Sequence, residues 1–177
     1  MLLMPKRDWQ WGYNETHGVL TVSLGSDMEF LSPYKLKSLI PDGKIITEFS
    51  VEHAKFYIAL VDRLQKSLSL TDALIVQIAL NATAAHFLLK PQMPKSWFFD
   101  VSHECVYSDV GKIFQLTTSE HSVTAMVIES GLQASLVMIL SQECRLTDTK
   151  KLTQFETIKV MHNRLAPLTV ARKVNVA

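Results

Sequence analysis

Large apolar side chains alternate with polar or small ones from the start of the chain. Trp9-Gln10-Trp11-Gly12-Tyr13 has the period of two expected of a strand with one buried face, which turns its three rings the same way. After turn signals over residues 14–18, Leu20, Val22 and Leu24 recur at the same spacing, and an apolar run over 28–31 follows Gly25-Ser26-Asp27. Together these predict a small antiparallel meander. Pro33 suits the first turn of a short helix reaching Leu39, where its missing N–H is no loss, and Pro41-Asp42-Gly43 then supplies a stop and a turn.

The period lengthens after residue 50. Ala54, Tyr57, Ile58, Val61 and Leu64 recur at threes and fours, with Glu52, Lys55, Asp62 and Arg63 mostly off that stripe, which predicts an amphipathic helix over 51–65. Thr71 followed by Asp72 reads as an N-cap and first-turn acid for a second long helix that Pro91 must end. Its almost unbroken apolar surface implies burial on most sides. Beyond Pro94 the pattern changes to short β-like runs at 97–101, 113–117, 123–129 and 134–140, separated by Ser-, Asp- and Gly-containing turns. Near the end, Phe155, Ile158, Val160 or Met161, and Leu165 have helical spacing that Pro167 closes, and residues 168–176 alternate like a final strand. The fold class expected is α+β in two lobes. An N-terminal lobe over 1–93 holds the strand meander and helices; a strand-rich lobe over 94–177 carries one helix.

A chain of 177 residues, 47% of them hydrophobic, is long enough to bury a real core. Lys and Arg number 18 against 17 Asp and Glu, a formal charge of +1, so no global field steers the protein toward nucleic acid or anionic lipid. The most apolar stretch, 73–89, contains Gln77, Asn81 and His86 and falls short of the roughly 20 apolar residues of a membrane span. The first residues turn polar before an export signal's apolar stretch forms, and Cys105 and Cys144 are the only thiols, so a reducing cytoplasm is the expected compartment.

Raw material for catalysis is thin. His103-Glu104-Cys105 would place the histidine and the thiol on one face of a strand, and a small cysteine-dependent hydrolase using Cys105 and a nearby His is the enzyme alternative. A Cys beside Val106 and Tyr107 more commonly behaves as a small hydrophobe. His103, Cys105, His121 and Cys144 are all potential metal ligands, but no Cys-x-x-Cys or His-x-x-x-His spacing organises them. With no phosphate-cradling Gly-rich loop either, no cofactor is expected and the chain should not itself hydrolyse GTP.

The string Leu88-Leu89-Lys90-Pro91-Gln92-Met93-Pro94-Lys95-Ser96-Trp97 resembles the central signature of the ZapC family of Z-ring-associated proteins. Further anchors run in order along the chain: Trp9, Trp11 and Tyr13, Pro41-Asp42, Asn81-Ala82, Glu129-Ser130-Gly131, and Ile158-Lys159-Val160-Met161 with Arg164-Leu165 and Pro167. The His162-Asn163 pair and the tail after Pro167 depart from that likeness. What the resemblance implies is a two-domain cytoplasmic division factor, not an enzyme. It would associate at midcell with the tubulin-like protein FtsZ, promote lateral association of its filaments and lower its GTPase activity.

The chemistry of the string agrees with a docking role. Two prolines fix φ and restrict the residues before them, which sets Lys90 and Lys95 on an extended, low-entropy backbone suited to an acidic patch on a partner. Met93 and Trp97 offer the large, adaptable apolar contacts of interface centres. Equally open is the reading in which Trp97 plugs a core and the lysines are merely solvated. Leu20, Val22 and Leu24 would form the wall of a second partner pocket under the basic corner of Lys35 and Lys37, or else ordinary core. The chain is expected to be a monomer that binds protein, neither nucleic acid nor membrane.

Overall fold

A computed structural model describes residues 2–168, which fall into two compact units, one ending at Pro91 and the other starting at Gln92. The expected strand over 168–176 lies outside the described residues from 169 onward. The fold class is α+β.

In the first unit, β1 (Gln10–Asn14), β2 (Val19–Ser23), β3 (Glu29–Lys35) and β4 (Thr47–Glu48) form an antiparallel sheet of order β3-β2-β1-β4. The short helix expected from Pro33 does not form. Pro33 lies inside β3, and only Leu36–Ser38 makes a 3-10 turn. The physical reason is position in the sheet: β3 is an edge strand, where a residue without an N–H is tolerated, and its register against β2 shifts around Pro33. Ser32 repairs the ladder there, its hydroxyl donating to the Leu20 carbonyl at 2.7 Å and accepting from the Tyr34 N–H at 3.2 Å.

Helix α1 (Val51–Ser67) buries Tyr57, Leu60, Val61 and Leu64, and α2 (Asp72–Leu88) is buried along most of its length. Thr71 caps α2 by accepting the Leu74 N–H at 3.3 Å. Ser50 caps α1, and here His53 takes the reciprocal place normally held by Glu or Gln. The His53 Nδ1 accepts from both the Ser50 N–H and the Trp11 indole N–H, each at 3.0 Å. Trp11 stacks on Phe49 at 5.1 Å, and Trp9 meets Phe49 and Tyr57 edge-on at 5.3 and 5.8 Å, so a single aromatic cluster ties β1 to α1. No helix among the described residues is long and apolar enough to cross a membrane.

In the second unit, β5 (Ile113–Thr117), β6 (Ser122–Ser130), β7 (Ala134–Ile139) and β10 (Thr157–Met161) form an antiparallel sheet of order β10-β7-β6-β5. A separate hairpin joins β8 (Glu143–Arg145) to β9 (Lys151–Thr153). Two expectations need correction. Residues 155–165 are not an α-helix: Phe155 turns at φ 72°, Ile158 and Val160 alternate inward on a strand paired to β7 over five residues, and only His162–Arg164 makes a 3-10 turn. β-branched residues with a partner strand available satisfy a period of two better than a helical face. The run 97–101 is not a strand either, because Ser96–Phe98 closes a 3-10 turn. Among the described residues this unit therefore has no α-helix.

Both edges of the larger sheet are covered. Lys95 donates its N–H to the Lys159 carbonyl at 2.8 Å, and the Ser96 hydroxyl accepts the Met161 N–H at 2.8 Å, along the free side of β10. Beside β5, Gln115 and Ala166 exchange both backbone bonds, at 2.8 and 3.0 Å, and Asp100 donates to the Thr117 carbonyl. The core beneath is built from Phe99, Phe114, Leu116, Val127, Val137, Ile139 and Val160, with Cys144 anchoring the hairpin.

Burial lowers the pKa of His53 from its ordinary 6.5, an effect that Glu48 and Glu52 only partly offset. Above pH 6.5 the ring is neutral in folded and unfolded chains alike. As pH falls below 6.5, the unfolded chain gains a proton that the folded one resists, so stability declines until the folded pKa is reached. Thermal melts of His53→Asn, which keeps an acceptor near the Nδ1 position, should depend less on pH across this window than melts of wild type. Identical slopes would exclude His53 as a source of the acid sensitivity.

Candidate partner-docking surfaces

The residues expected to meet a partner separate by unit and by exposure. In the first unit, residues 36–40 run against the end of α2. Lys90 donates its N–H to the Ser38 carbonyl at 2.8 Å, Ile40 donates to Leu88 at 2.9 Å, and Leu39 and Leu89 form a bridge. This zipper brings the Lys90 ammonium to the Lys37 carbonyl at 2.9 Å, so Lys37 and Lys90, 53 positions apart in sequence, share one basic corner with Lys35. All three side chains are exposed. Leu36, Ile45 and Ile46 add exposed apolar surface to the same unit.

Leu20 and Val22 do not wall a partner pocket, because both are fully buried. β2 is hydrogen-bonded on both sides, by β1 and β3, and this face of it is sealed into the core. Leu24, just past the end of β2, is half-buried. Trp9 and Trp11 are likewise core, while Tyr13 is half-buried.

The second unit resolves the two readings of the proline-flanked string differently. Met93 is 78% exposed and Trp97 70% exposed, so neither plugs a core. The backbone between them is held on β10 by Lys95 and Ser96, and the Gln92 amide donates to the Thr157 hydroxyl at 2.6 Å. Phe98 packs partly against the core while its neighbour Trp97 faces out. An apolar pair with Lys95 between its members is thus presented on a pinned backbone.

The residues considered for catalysis or metal binding are dispersed. Cys105 is exposed on an irregular stretch, not on a strand shared with His103, and among the described residues no hydrogen bond joins it to a histidine. Cys144 is buried, which pushes its thiol up to about 11. His121 accepts the Arg145 N–H, and His162 is bonded to Ser135. No group of three or more His, Cys, Asp and Glu among the described residues is placed to hold a metal ion.

Family models described as cell-division protein ZapC, N-terminal, and cell-division protein ZapC, C-terminal, match residues 2–90 and 91–171. The chain belongs to the ZapC family. Among curated relatives, the cell division protein ZapC of Shewanella frigidimarina is 65% identical over 98% of both chains. That of Shewanella woodyi is 64% identical over 100% of this chain and 98% of its own. The ZapC of Aeromonas hydrophila is 36% identical over 97% of this chain and 96% of its own. Membership in the ZapC family gives the chain a role in cell division.

Sequence reasoning missed the exposed Ile45-Ile46 pair and the β8–β9 hairpin. The signal for the hairpin was present in the polar run Thr147-Asp148-Thr149-Lys150, a turn flanked by Leu146 and Leu152. The contrast between the two thiols is directly testable. A thiol-specific dye should label Cys105 alone in the native protein and Cys144 as well after denaturation, whereas rapid native labelling of both would contradict the buried placement of Cys144.

Proposed function

We propose that this chain binds filaments of FtsZ, holds neighbouring filaments side by side, and so stabilises the Z-ring at midcell and lowers FtsZ GTPase activity. The observation that carries the reading is the exposed pair Met93 and Trp97, set on either side of Lys95 on a backbone pinned to β10. Large apolar side chains left in water on a rigid segment gain most from being covered, and Trp is among the commonest anchors at interface centres. Lys95 here, and Lys35, Lys37 and Lys90 in the first unit, supply the positive charge that an acidic partner surface would meet.

Side-by-side crosslinking requires two binding surfaces, and a monomer with one on each unit has that valency without self-association. Its effect on nucleotide turnover would be indirect. By favouring the assembled conformation of FtsZ, docking shifts a population and slows hydrolysis without contributing any reacting group. Such a factor works in the cytoplasm, where the filaments are.

Co-sedimentation with FtsZ and GTP tests the proposal. Wild type should pellet with the polymer and increase the light it scatters. Trp97→Ala and Lys95→Glu should each cut the pelleted fraction, Trp97→Ala by about fivefold or more if it is a central anchor. Their unfolding free energies should stay within about 0.5 kcal/mol of wild type, because both side chains are solvent-facing. Failure of the wild type to pellet would rule out the partner; undiminished pelleting of both variants would rule out this surface.

A further inference from the structure

The second unit also contains a groove of about 420 Å³ between the β8–β9 hairpin and the segment that runs along β10. Lys95, Lys150 and Lys151 line it, and its apolar floor includes Phe98, Leu146 and Leu152. These three floor residues are partly buried against the core, so their positions are set by packing while some of their surface still faces the groove. No carboxylate lines it. Lys151 is paired with Glu143 at 3.2 Å, but among the described residues Lys95 and Lys150 have no acidic partner.

We infer that this groove takes an extended acidic segment of a protein partner, with an aliphatic side chain on the floor and carboxylates at the lysines. The assignment rests on the reading of the chain as a protein-docking factor and adds to it the chemistry of what is bound. Charge complementarity selects the acid: two lysines without carboxylate partners and a third that shares Glu143 leave the groove positive. The apolar floor selects a side chain over a bare anion, because a small anion would leave that surface wet. A nucleic-acid strand fits less well, since a chain of formal charge +1 lacks the broad positive field that drives such binding.

Recognition here would proceed through side chains and not by adding a strand to the sheet. The Lys159 carbonyl is already taken by Lys95, and the Met161 N–H by Ser96, so over Lys159 to Met161 the β10 edge is occupied by the chain's own segment. Gln92 and Thr157, which also line it, are bonded to each other through the Gln92 amide and the Thr157 oxygen. The Gln92 carbonyl and the Thr157 hydroxyl proton remain to receive and give bonds to a peptide backbone.

Fluorescence polarisation of the full chain with a labelled peptide alternating Glu and Leu tests this at low salt. Binding should weaken by about tenfold in Lys150→Glu, fall with added salt, and be at least about fivefold weaker for the same peptide with Gln in place of Glu. The substitution is safe for the fold: the Lys150 side chain is exposed, and its backbone bonds, which hold the hairpin turn, do not use it. A melt of the variant checks this. Equal binding of the Glu and Gln peptides, unchanged binding by Lys150→Glu, or equally tight competition by an oligothymidine would overturn the inference.

FtsZ pelleting run in parallel separates the two proposals. Pelleting by wild type with no preference for the acidic peptide removes the groove assignment and leaves the filament reading standing. Lysine-dependent binding of the acidic peptide without pelleting removes FtsZ as the partner and leaves the groove.

Discussion

Lys95 gives its backbone N–H to Lys159 and Ser96 takes the N–H of Met161, and the directions in which Met93, Lys95 and Trp97 point all depend on those two bonds along β10. A sheet edge left open exposes unpaired donors and acceptors that invite a foreign strand. Covering it with a short irregular segment satisfies the backbone and at the same time fixes that segment against a rigid support. Pro94 sharpens the effect by locking φ and restricting Met93 before it. On the opposite edge Ala166 pairs with Gln115 and Asp100 with Thr117, so segments of the same chain occupy part of each edge of the sheet.

The first unit uses the same economy with different chemistry. His53 is helix-capping residue, hydrogen-bond acceptor for Trp11 and ring partner of Phe49 at once, so the start of α1 and the position of β1 are set by one side chain. Close by, where Phe87 at the end of α2 packs on the His53 ring at 4.5 Å, the run from Leu36 to Ile40 is zipped to Leu88 and the residues after it, and that pairing brings the Lys90 ammonium to the Lys37 carbonyl. Three tryptophans illustrate how context divides one residue type. Trp9 and Trp11 lie in an aromatic cluster that holds the unit together, while Trp97 stands in water on a turn. The family relationship gives the chain a role in cell division, and the exposure of Trp97 separates it from the two tryptophans that pack the first unit.

Much of the local structure was legible in the chain. The first long helix could be placed from its apolar spacing and the second from its bounds at Thr71 and Pro91, where Thr71 could be recognised as a cap because capping needs only a side-chain oxygen next to the first free N–H groups. Strands β5, β6 and β7 follow from alternation and turn residues. Pro33 and the run from Phe155 to Leu165 were misread for a common reason. A proline is acceptable both in a first helical turn and on an edge strand, and Ile158, Val160 and Leu165 fit either period until a neighbouring strand is present to pair with them. Of the candidate surfaces, the chain showed which residue types stand together around the two prolines, but not whether Trp97 faces a core or water.

By itself, then, the sequence determined the α+β class, the two helices with the Thr71 cap, and the clustering of Lys90, Met93, Lys95 and Trp97 about Pro91 and Pro94. Those properties depend on interactions within a few residues. Only the tertiary structure decided that Leu20 and Val22 are core, that Trp97 is exposed, that Lys37 and Lys90 meet, and that Lys150 and Lys95 line one groove. Each of these is a contact or an exposure set by segments far apart in the chain, and local periodicity carries no information about which distant segment will cover a given face.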